Sequence, residues 1–392
     1  MPENCVQLKS YRVALAPMEG VTDFPVRVWF HLFGAVQEMT TPFYRVSRGH
    51  SARIPDNWAP KIFVPEVGGR LRYRLTPQVM AATLDDCKRV ASELQKDSQG
   101  ILELNCGCPA SRSVGRGAGS SLLRSVEDFQ SFVRGLSGAL GPGVLSVKMR
   151  LGYEDDSLFE DLIESIGELP LARIVIHGRT RPEGYRGEAR WEAIQWAAQN
   201  AAVPVFGSGD IVDRASFEKR ILLAPHVAGV FIGRGSLANP RIFGDLWDSD
   251  QKPWSPQLAY HSLRVLELLH RMFRVSLPLL LDAIREGLMD HAPETHQDWE
   301  NCYNRLNTFV RSQVASNRSQ DQVLDPCRFS LGRLKMIWLH LSRSLSSTYH
   351  NRDLLRAPSA EVFFSRFLQI NQALEAGRGT GVLNEMTQSG LV

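Results

Sequence analysis

Eight short segments rich in β-forming residues recur along the chain, and this repetition most constrains the fold. Their starts lie 22 to 44 residues apart, with helix-like apolar periodicity between them. The segments are 13–18, 35–43, 71–75, 100–105, 144–150, 173–178, 203–207 and 228–233. One strand, one helix and two loops fill such a spacing, and eight of these units make a (β/α)8 barrel. A doubly wound open sheet is the alternative, but it gives no reason to stop at eight strands.

The chain changes character after the last of these segments. Residues 248–257 form a polar, proline-containing stretch typical of a linker. Helical periodicity follows over 258–277, 302–314, 331–345 and 362–374, with loops expected at 292–298 and 316–325. We therefore predict an α/β TIM barrel over 1–247, an all-α domain over 258–376 and a flexible tail over 377–392.

The overall charge excludes one class of nucleic-acid binder. The 392 residues carry 45 Lys+Arg against 42 Asp+Glu, a formal charge of +3, which rules out a strongly basic tail as the main reason for any nucleic-acid binding. Only eight of the basic residues are lysines and 37 are arginines. Arginine forks onto phosphates and stacks on bases, but a GC-rich genome would also favour it. A local net charge of +5 over 301–350 fits either a solvated helix face or an RNA contact.

Cysteine usage and the N-terminal sequence favour a reduced cytoplasm. Six sparse, unevenly spaced cysteines do not form a disulfide framework. The start of the chain lacks the apolar run and cleavage site of a signal peptide, and no apolar stretch approaches the ~20 residues that a bilayer requires. Cys106 and Cys108 have no second pair nearby, so we expect no metal site.

Polar residues collect where the predicted strands end, which is where barrel enzymes carry their active sites. Side-chain alternation places Ser146, Lys148 and Arg150 on one face of the fifth strand, and Glu103 and Asn105 on one face of the fourth. A lysine inside a barrel is costly unless an anion or polar ligand meets it. A salt bridge between Lys148 and Glu103 is the alternative.

Glycines after strands seven and eight suggest a phosphate site. Gly209 and Gly233 allow close approach to backbone N–H groups, and Arg234 adds a forked donor. Cys108 precedes a proline and a glycine-rich stretch, which suits a reactive group on a movable lid better than a metal ligand, whereas Cys106 suits inert packing. His177 ends strand six and is read either as a site residue or as a core histidine.

Seven motifs in one order resemble the tRNA-dihydrouridine synthase family. They are LAPMEGVTDFPVR (15–27), ELNCGCP (103–109), GRGAGSSLL (115–123), VKMRLGYED (147–155), IHGRTRPEGYRG (176–187), GSGDI (207–211) and IGRGSLANPRIF (232–243). The resemblance covers roughly residues 12–245. The CGCP run and TPFYRV (41–46) are most similar to the bacterial C-type members, which modify position 16 in the D-loop.

The resemblance implies FMN in the barrel and NADPH, or else NADH, as reductant. Hydride would pass from flavin N5 to uracil C6, and Cys108 would give a proton to C5 as the general acid. Asn105 would position the uracil. The implied cofactor residues are Pro17, Met18, Glu19, Arg74, Lys148, His177, Ser208, Gly209, Asp210, Gly233 and Arg234. Of these, Arg74 would replace the glutamine that the family usually has on strand three, and Ser208 would replace an asparagine.

The same resemblance implies tRNA as partner, with no membrane, no protein partner and a monomeric chain. The implied substrate contacts are Arg112, Arg179, Tyr185, Arg333 and Lys335. Arg112 would replace a lysine of the family. Residues 282–326 are expected as an insertion in the helical domain, relative to similar chains.

Two other functions stay open at this point. The barrel could be an FMN-dependent oxidoreductase of a small molecule, which the arginine-bearing helical domain disfavours. It could also be an RNA-binding barrel without catalysis, which the presence of Cys108, Lys148 and His177 disfavours.

Overall fold

The structure, a computed structural model, describes residues 11–46, 73–97, 100–109, 117–248, 254–316, 328–345, 349 and 352–375. Eight parallel strands close into a barrel in chain order. They are β1 Arg12–Leu15, β2 Glu38–Val46, β3 Arg74–Ala81, β4 Leu102–Cys106, β5 Leu145–Arg150, β6 Arg173–His177, β7 Val205–Ser208 and β8 Gly229–Ile232. Pairing of β1 with β8, from Arg12 opposite Gly229 to Leu15 opposite Ile232, completes the closure. The predicted (β/α)8 barrel is confirmed.

Strand β3 lies further along the chain than predicted. It runs Arg74–Ala81 instead of over 71–75, because Pro77 sits inside it and makes the sequence read as a break. The register with β2 shifts between Thr40 and Phe43, opposite this proline. The Gln78 N–H donates to the Thr41 hydroxyl at 3.0 Å instead of to a backbone carbonyl. This bulge accommodates proline in a central strand.

Helices cover the outside of the barrel through apolar faces. The helix Val126–Leu140 begins where the Ser125 hydroxyl accepts from the Asp128 N–H, and it buries Phe129, Val133 and Leu136. The helices of this part of the chain are Phe24–Leu32, Leu84–Asp97, Val126–Leu140, Phe159–Gly167, Trp191–Asn200, Arg214–Leu223, Arg234–Ala238 and Ile242–Asp245, with a 3-10 turn at Gly119–Arg124.

The described residues after 253 are helical, and the predicted all-α region is confirmed. The helices are Pro256–Val275, Leu277–Arg285, His296–Ser316, Arg328–Leu341, Arg352–Leu355 and Ala360–Glu375, with a 3-10 turn at Ser342–Ser344. Trp338 packs against Phe367, with ring centroids 4.8 Å apart. The predicted insertion contains a 21-residue helix, His296–Ser316, whose Trp299 is fully buried. No helix among the described residues is long and apolar enough to cross a membrane.

Contacts divide the chain into two units. The first consists of Met1–Asp23, Ala35–Ser236 and Arg241–Ser249, and the second of Phe24–Gly34, Leu237–Pro240 and Asp250–Val392. The second unit therefore includes the helix Phe24–Leu32, although it follows β1 in the chain. Within that unit the Trp29 indole N–H donates to the Ser262 carbonyl at 3.0 Å. A single domain boundary placed along the sequence does not predict that this helix belongs to the second unit. The predicted functional division of the chain stays a prediction.

Candidate active site at the carboxyl ends of the strands

The residues that follow β1, β6, β7 and β8 meet at one end of the barrel. A Cβ atom placed on Gly233 would lie 3.8 Å from Met18 Sδ. A Cβ atom placed on Gly209, whose φ is +128°, would lie 3.8 Å from His177 Nε2 and 2.6 Å from Ala189 Cβ. A Cβ on Gly209 would thus collide with Ala189, and the φ there also favours glycine, whereas a Cβ on Gly233 would contact Ala16 and Met18.

Lys148 lies inside the barrel on β5, next to Asn105 of β4 in the strand register. Among the described residues its ammonium group makes no hydrogen bond or ion pair. Burial lowers its pKa to about 8; Arg150 adds to this effect and Glu103 opposes it. The alternative of a Lys148–Glu103 salt bridge is wrong: among the described residues the ion-pair partner of Glu103 is Arg173, at 3.8 Å, and its oxygens accept from Gln78 at 2.7 Å and from Ser146 at 3.1 Å. Lys148 is thus a buried cation open to a ligand.

Asn105 fixes the backbone that carries Cys108. Its side-chain oxygen accepts hydrogen bonds from the N–H groups of Gly107 at 3.0 Å and Cys108 at 2.9 Å. Its amide nitrogen donates to Gln78 at 2.9 Å, which leaves a second amide hydrogen for a ligand. The Ser120 hydroxyl donates to the Cys108 carbonyl at 2.9 Å. Cys108 is therefore held from both sides.

The two cysteines of the CxC motif have different surroundings. Cys108 is 9% exposed and packs with Met80 and Ala118. Gly119 approaches it so closely that a Cβ there would lie 3.2 Å from the Cys108 carbonyl oxygen, and the φ of +64° at Gly119 also favours glycine. Cys106 is fully buried, and burial raises the pKa of its thiol strongly. Cys106 is an inert core residue, as predicted.

His177 is a neutral imidazole in this structure. Burial lowers its pKa well below 6.5, and Arg150, Lys148, Arg179 and Arg234 each add to the shift. Its Nδ1 atom is buried without a hydrogen-bond partner among the described residues. Its ring lies 6.0 Å from that of Tyr185, in an edge-to-face arrangement. The ring thus offers unused hydrogen-bonding capacity at the barrel mouth.

Arg74 does not lie in this site, and its assignment to the cofactor is wrong. It is the first residue of β3, exposed at the opposite end of the barrel, because β3 begins later than predicted. Gln78 lies four residues further along β3, on the same face of the strand. It is fully buried, and its side chain makes hydrogen bonds with both Glu103 and Asn105. Strand β3 thus does place a glutamine inside the barrel. Correct placement of β3 would have identified it.

Arg179 does not reach outward to a substrate, and this assignment is also wrong. The residue is 2% exposed, and its guanidinium contacts both oxygens of Asp210 at 2.7 and 2.8 Å. Asp210 also accepts from the Ala189 N–H at 2.6 Å, so its carboxylate organises these loops. The Arg179 Nη1 atom is buried without a partner among the described residues, and a Cβ on Gly209 would lie 3.6 Å from it.

The remaining predicted residues differ in their placement. The Ser208 hydroxyl donates to the Phe231 carbonyl at 3.0 Å, which ties β7 to β8. Glu19 is exposed and lies 3.5 Å from Arg45, whereas Pro17 is half-buried next to Met18. The Arg234 guanidinium stacks 4.0 Å above the Tyr185 ring, which is 55% exposed.

Three further residues were implied as tRNA contacts. Arg333 and Lys335 are half-buried on the helix Arg328–Leu341 of the second unit. Arg112 lies outside the described residues.

Arg150 is a structural residue of the site that was not among the predicted site residues. Its guanidinium donates to the carbonyls of Gly107 at 2.9 Å, Thr180 at 3.0 Å and Gly184 at 2.8 Å. It therefore connects the segments that follow β4 and β6. Its position two residues after Lys148 was the available signal, because the two share one face of β5.

Comparison with known proteins decides the family. The family model described as dihydrouridine synthase matches residues 14–275. The chain belongs to the dihydrouridine synthase family. It is 33% identical over 235 residues to the probable tRNA-dihydrouridine synthase of Rhodobacter capsulatus. This match covers 58% of this chain and 68% of that protein. It is 33% identical over 235 residues to the tRNA-dihydrouridine(16) synthase of Cupriavidus necator, covering 58% and 71%.

A third relative matches over a longer stretch. The chain is 30% identical over 260 residues to the tRNA-dihydrouridine(16) synthase of Escherichia coli, covering 63% of this chain and 79% of that protein. The resemblance read from the seven motifs is thereby confirmed at the level of the family.

Proposed function

We propose that this family member reduces uridine to 5,6-dihydrouridine in the D-loop of tRNA, at position 16, with FMN as cofactor and NADPH as reductant. The carrying observation is that Lys148, which makes no hydrogen bond or ion pair with the described part of the chain, lies beside Asn105, and Asn105 holds the Cys108 backbone. The names of the Cupriavidus necator and Escherichia coli relatives support position 16. NADH is the second choice of reductant.

The residues at the barrel mouth fit a flavin mononucleotide. Two buried polar atoms without partners among the described residues, His177 Nδ1 and Arg179 Nη1, lie where hydrogen-bonding groups of a ligand would satisfy them. The backbone at Gly209 and Gly233 lies beside His177 and Met18, where a phosphate or ribityl chain would be held, and the exposed Arg234 supplies a forked donor. When bound, FMN reduced by the nicotinamide supplies the hydride for C6 of uracil.

Each site residue then has a defined task. Cys108 gives a proton to C5 of uracil, held in place by Asn105 and Ser120. Lys148 presents positive charge to the flavin ring. Pro17 and Met18 would line the ring, and the second Asn105 amide hydrogen would be available to the base.

The tRNA would be held by arginines and by the helical domain. Tyr185 is exposed beside Arg234 and offers a ring face to an unstacked base. The target base must leave the RNA stack, which costs a few kcal/mol and least in an already distorted loop. Arg333 and Lys335 would contact tRNA phosphates from residues 258–376. We assign the catalytic role to residues 1–247, and we propose a monomer that acts in the cytoplasm.

A reconstituted assay tests this function. The purified flavin-containing protein is incubated with NADPH and either an unmodified tRNA transcript or free uridine, and dihydrouridine is quantified by mass spectrometry. Dihydrouridine in the transcript alone supports the proposal. Turnover of free uridine without turnover of tRNA would favour the small-molecule oxidoreductase, and a protein that retains no flavin would favour a non-catalytic RNA-binding barrel.

A further inference from the structure

Two series of hydrogen bonds inside the barrel end at the Glu103 carboxylate, and we call them the upper and the lower arm. In each arm the last group donates to a Glu103 oxygen. The upper arm starts at the N–H groups of Gly107 and Cys108, which donate to Asn105 Oδ1. Asn105 Nδ2 donates to Gln78 Oε1 at 2.9 Å, and Gln78 Nε2 donates to Glu103 Oε1 at 2.7 Å. The upper arm thus joins Cys108 to Glu103 through two side-chain amides.

The lower arm starts at the opposite end of the barrel. Arg12 donates to Glu38 Oε2 at 2.9 Å, and Arg173 donates to Glu38 Oε1. The Arg173 Nε–H donates to Ser146 Oγ at 3.2 Å, and the Ser146 hydroxyl donates to Glu103 Oε2 at 3.1 Å. Arg173 Nη2 also lies 3.8 Å from Glu103 Oε2. This arm supplies donors and positive charge to the same carboxylate.

The chemistry of the two ends fixes the orientation of both amides. Backbone N–H groups can only donate. The Glu103 oxygens accept from Gln78 and Ser146; burial raises the pKa of this carboxyl, while the charges of Arg173 and Lys148 oppose the rise and favour the ionised form, which can only accept. An amide between them must therefore turn its oxygen toward Cys108 and its nitrogen toward Glu103. Reversal of Asn105 would place an NH2 group against two N–H groups, which leaves buried donors unsatisfied.

We propose that Glu103 is a positioning residue for Cys108: its carboxylate orients Gln78 and Asn105, and Asn105 in turn holds the Cys108 backbone. The inference rests on the proposed function only for its consequence, the delivery of a proton from Cys108. Gln78, Glu103 and Asn105 are all less than 10% exposed, so water does not replace these bonds easily.

The variant Glu103→Gln tests this relay, the series of side-chain hydrogen bonds from Glu103 through Gln78 to Asn105, with little change in side-chain volume. The new amide would keep its oxygen toward Ser146 and Arg173 and turn its NH2 group toward Gln78. Gln78 and then Asn105 would have to reverse, and the Cys108 segment would lose its acceptor. We expect hydrogen exchange at the Gly107 and Cys108 amides to accelerate about tenfold, as befits the loss of one hydrogen bond.

Exchanging the carboxylate and the amide between positions 78 and 103 restores an acceptor for the Asn105 amide nitrogen. In the double variant Gln78→Glu/Glu103→Gln, the carboxylate at position 78 again accepts from Asn105, so we expect amide protection to return toward the wild-type level. Ser146→Ala is the matched control, because it removes one bond to Glu103 without reversing an amide. It should change the exchange less than Glu103→Gln does.

The holoprotein is used throughout, with exchange followed by mass spectrometry and both half-reactions measured. Glu103→Gln should slow uridine reduction by a larger factor than it changes flavin reduction by NADPH. Unchanged exchange in a folded Glu103→Gln protein, or no recovery in the double variant, would overturn the proposal. If Glu103→Gln does not fold, protection in the double variant alone decides. Absent dihydrouridine in wild type would sink the proposed function, while amide exchange still tests the relay.

Discussion

The Cys108 N–H donates a hydrogen bond to Asn105 Oδ1 at 2.9 Å. This contact fixes the backbone of the proposed acid, Cys108, to a side chain of strand β4. Because the Cys108 carbonyl is also held, by Ser120, the thiol projects from a backbone fixed on both sides. A proton donor gains from such fixed geometry, since misplacement by about 1 Å can cost a hundredfold in rate.

Cys108→Ala should keep flavin and tRNA affinity and lower dihydrouridine formation by roughly 100-fold or more, because general acid catalysis contributes about that much. Single-turnover kinetics with reduced enzyme would measure it. Cys106→Ala serves as the control, since Cys106 is buried two residues away and removing its sulfur should cost stability only. Wild-type turnover in Cys108→Ala would exclude its role as acid.

Lys148→Met should stabilise the flavin-free protein in a pH-dependent manner. The pKa of Lys148 is lowered from 10.5 to about 8, so between these values the unfolded chain holds a proton that the folded chain has released. Wild-type stability therefore rises with pH across that window, and the full cost of the buried charge is present below about 8. We expect an advantage for Lys148→Met of about 3 kcal/mol at pH 7 that declines toward pH 10.5.

Urea unfolding at several pH values measures this difference. Lys219→Met is the control, because Lys219 is exposed on the helix Arg214–Leu223 and should show no such trend. An advantage for Lys148→Met that is equal at all pH values would mean that the Lys148 charge is not the cause.

Arg234→Met should weaken FMN binding about tenfold or more, as expected for the loss of charge-assisted hydrogen bonds to a phosphate. Arg74→Met should leave it unchanged, because Arg74 lies exposed at the amino end of β3. Fluorescence titration of the flavin-free protein compares the two. Equal weakening by both variants would contradict the assignment of the phosphate to the carboxyl ends of the strands.

Changing both Arg333 and Lys335 to Ala should weaken tRNA binding and reduce the salt dependence of the binding constant by about two units at most. Binding is measured between low and physiological salt. The double variant Arg214→Ala/Lys219→Ala removes the same charge from the barrel helix Arg214–Leu223. Equal slopes for the two double variants would show a response to net charge alone.

Sequence alone predicts the barrel because its information is periodic: each βα unit repeats the same order of apolar strand and amphipathic helix. It fails at β3, where Pro77 and the bulge beside Thr41 interrupt that pattern. It also fails for Arg179, since the partner of a guanidinium is set by tertiary contacts with Asp210 and not by local sequence. The transfer of the helix Phe24–Leu32 to the second unit is likewise a long-range effect.

The most direct test of uridine reduction is mass-spectrometric mapping of dihydrouridine in tRNA from a strain that lacks this protein. We predict that dihydrouridine disappears at position 16, stays at other D-loop positions, and returns when the wild-type gene is supplied but not when Cys108→Ala is. An unchanged dihydrouridine map in the deletion strain would contradict the account.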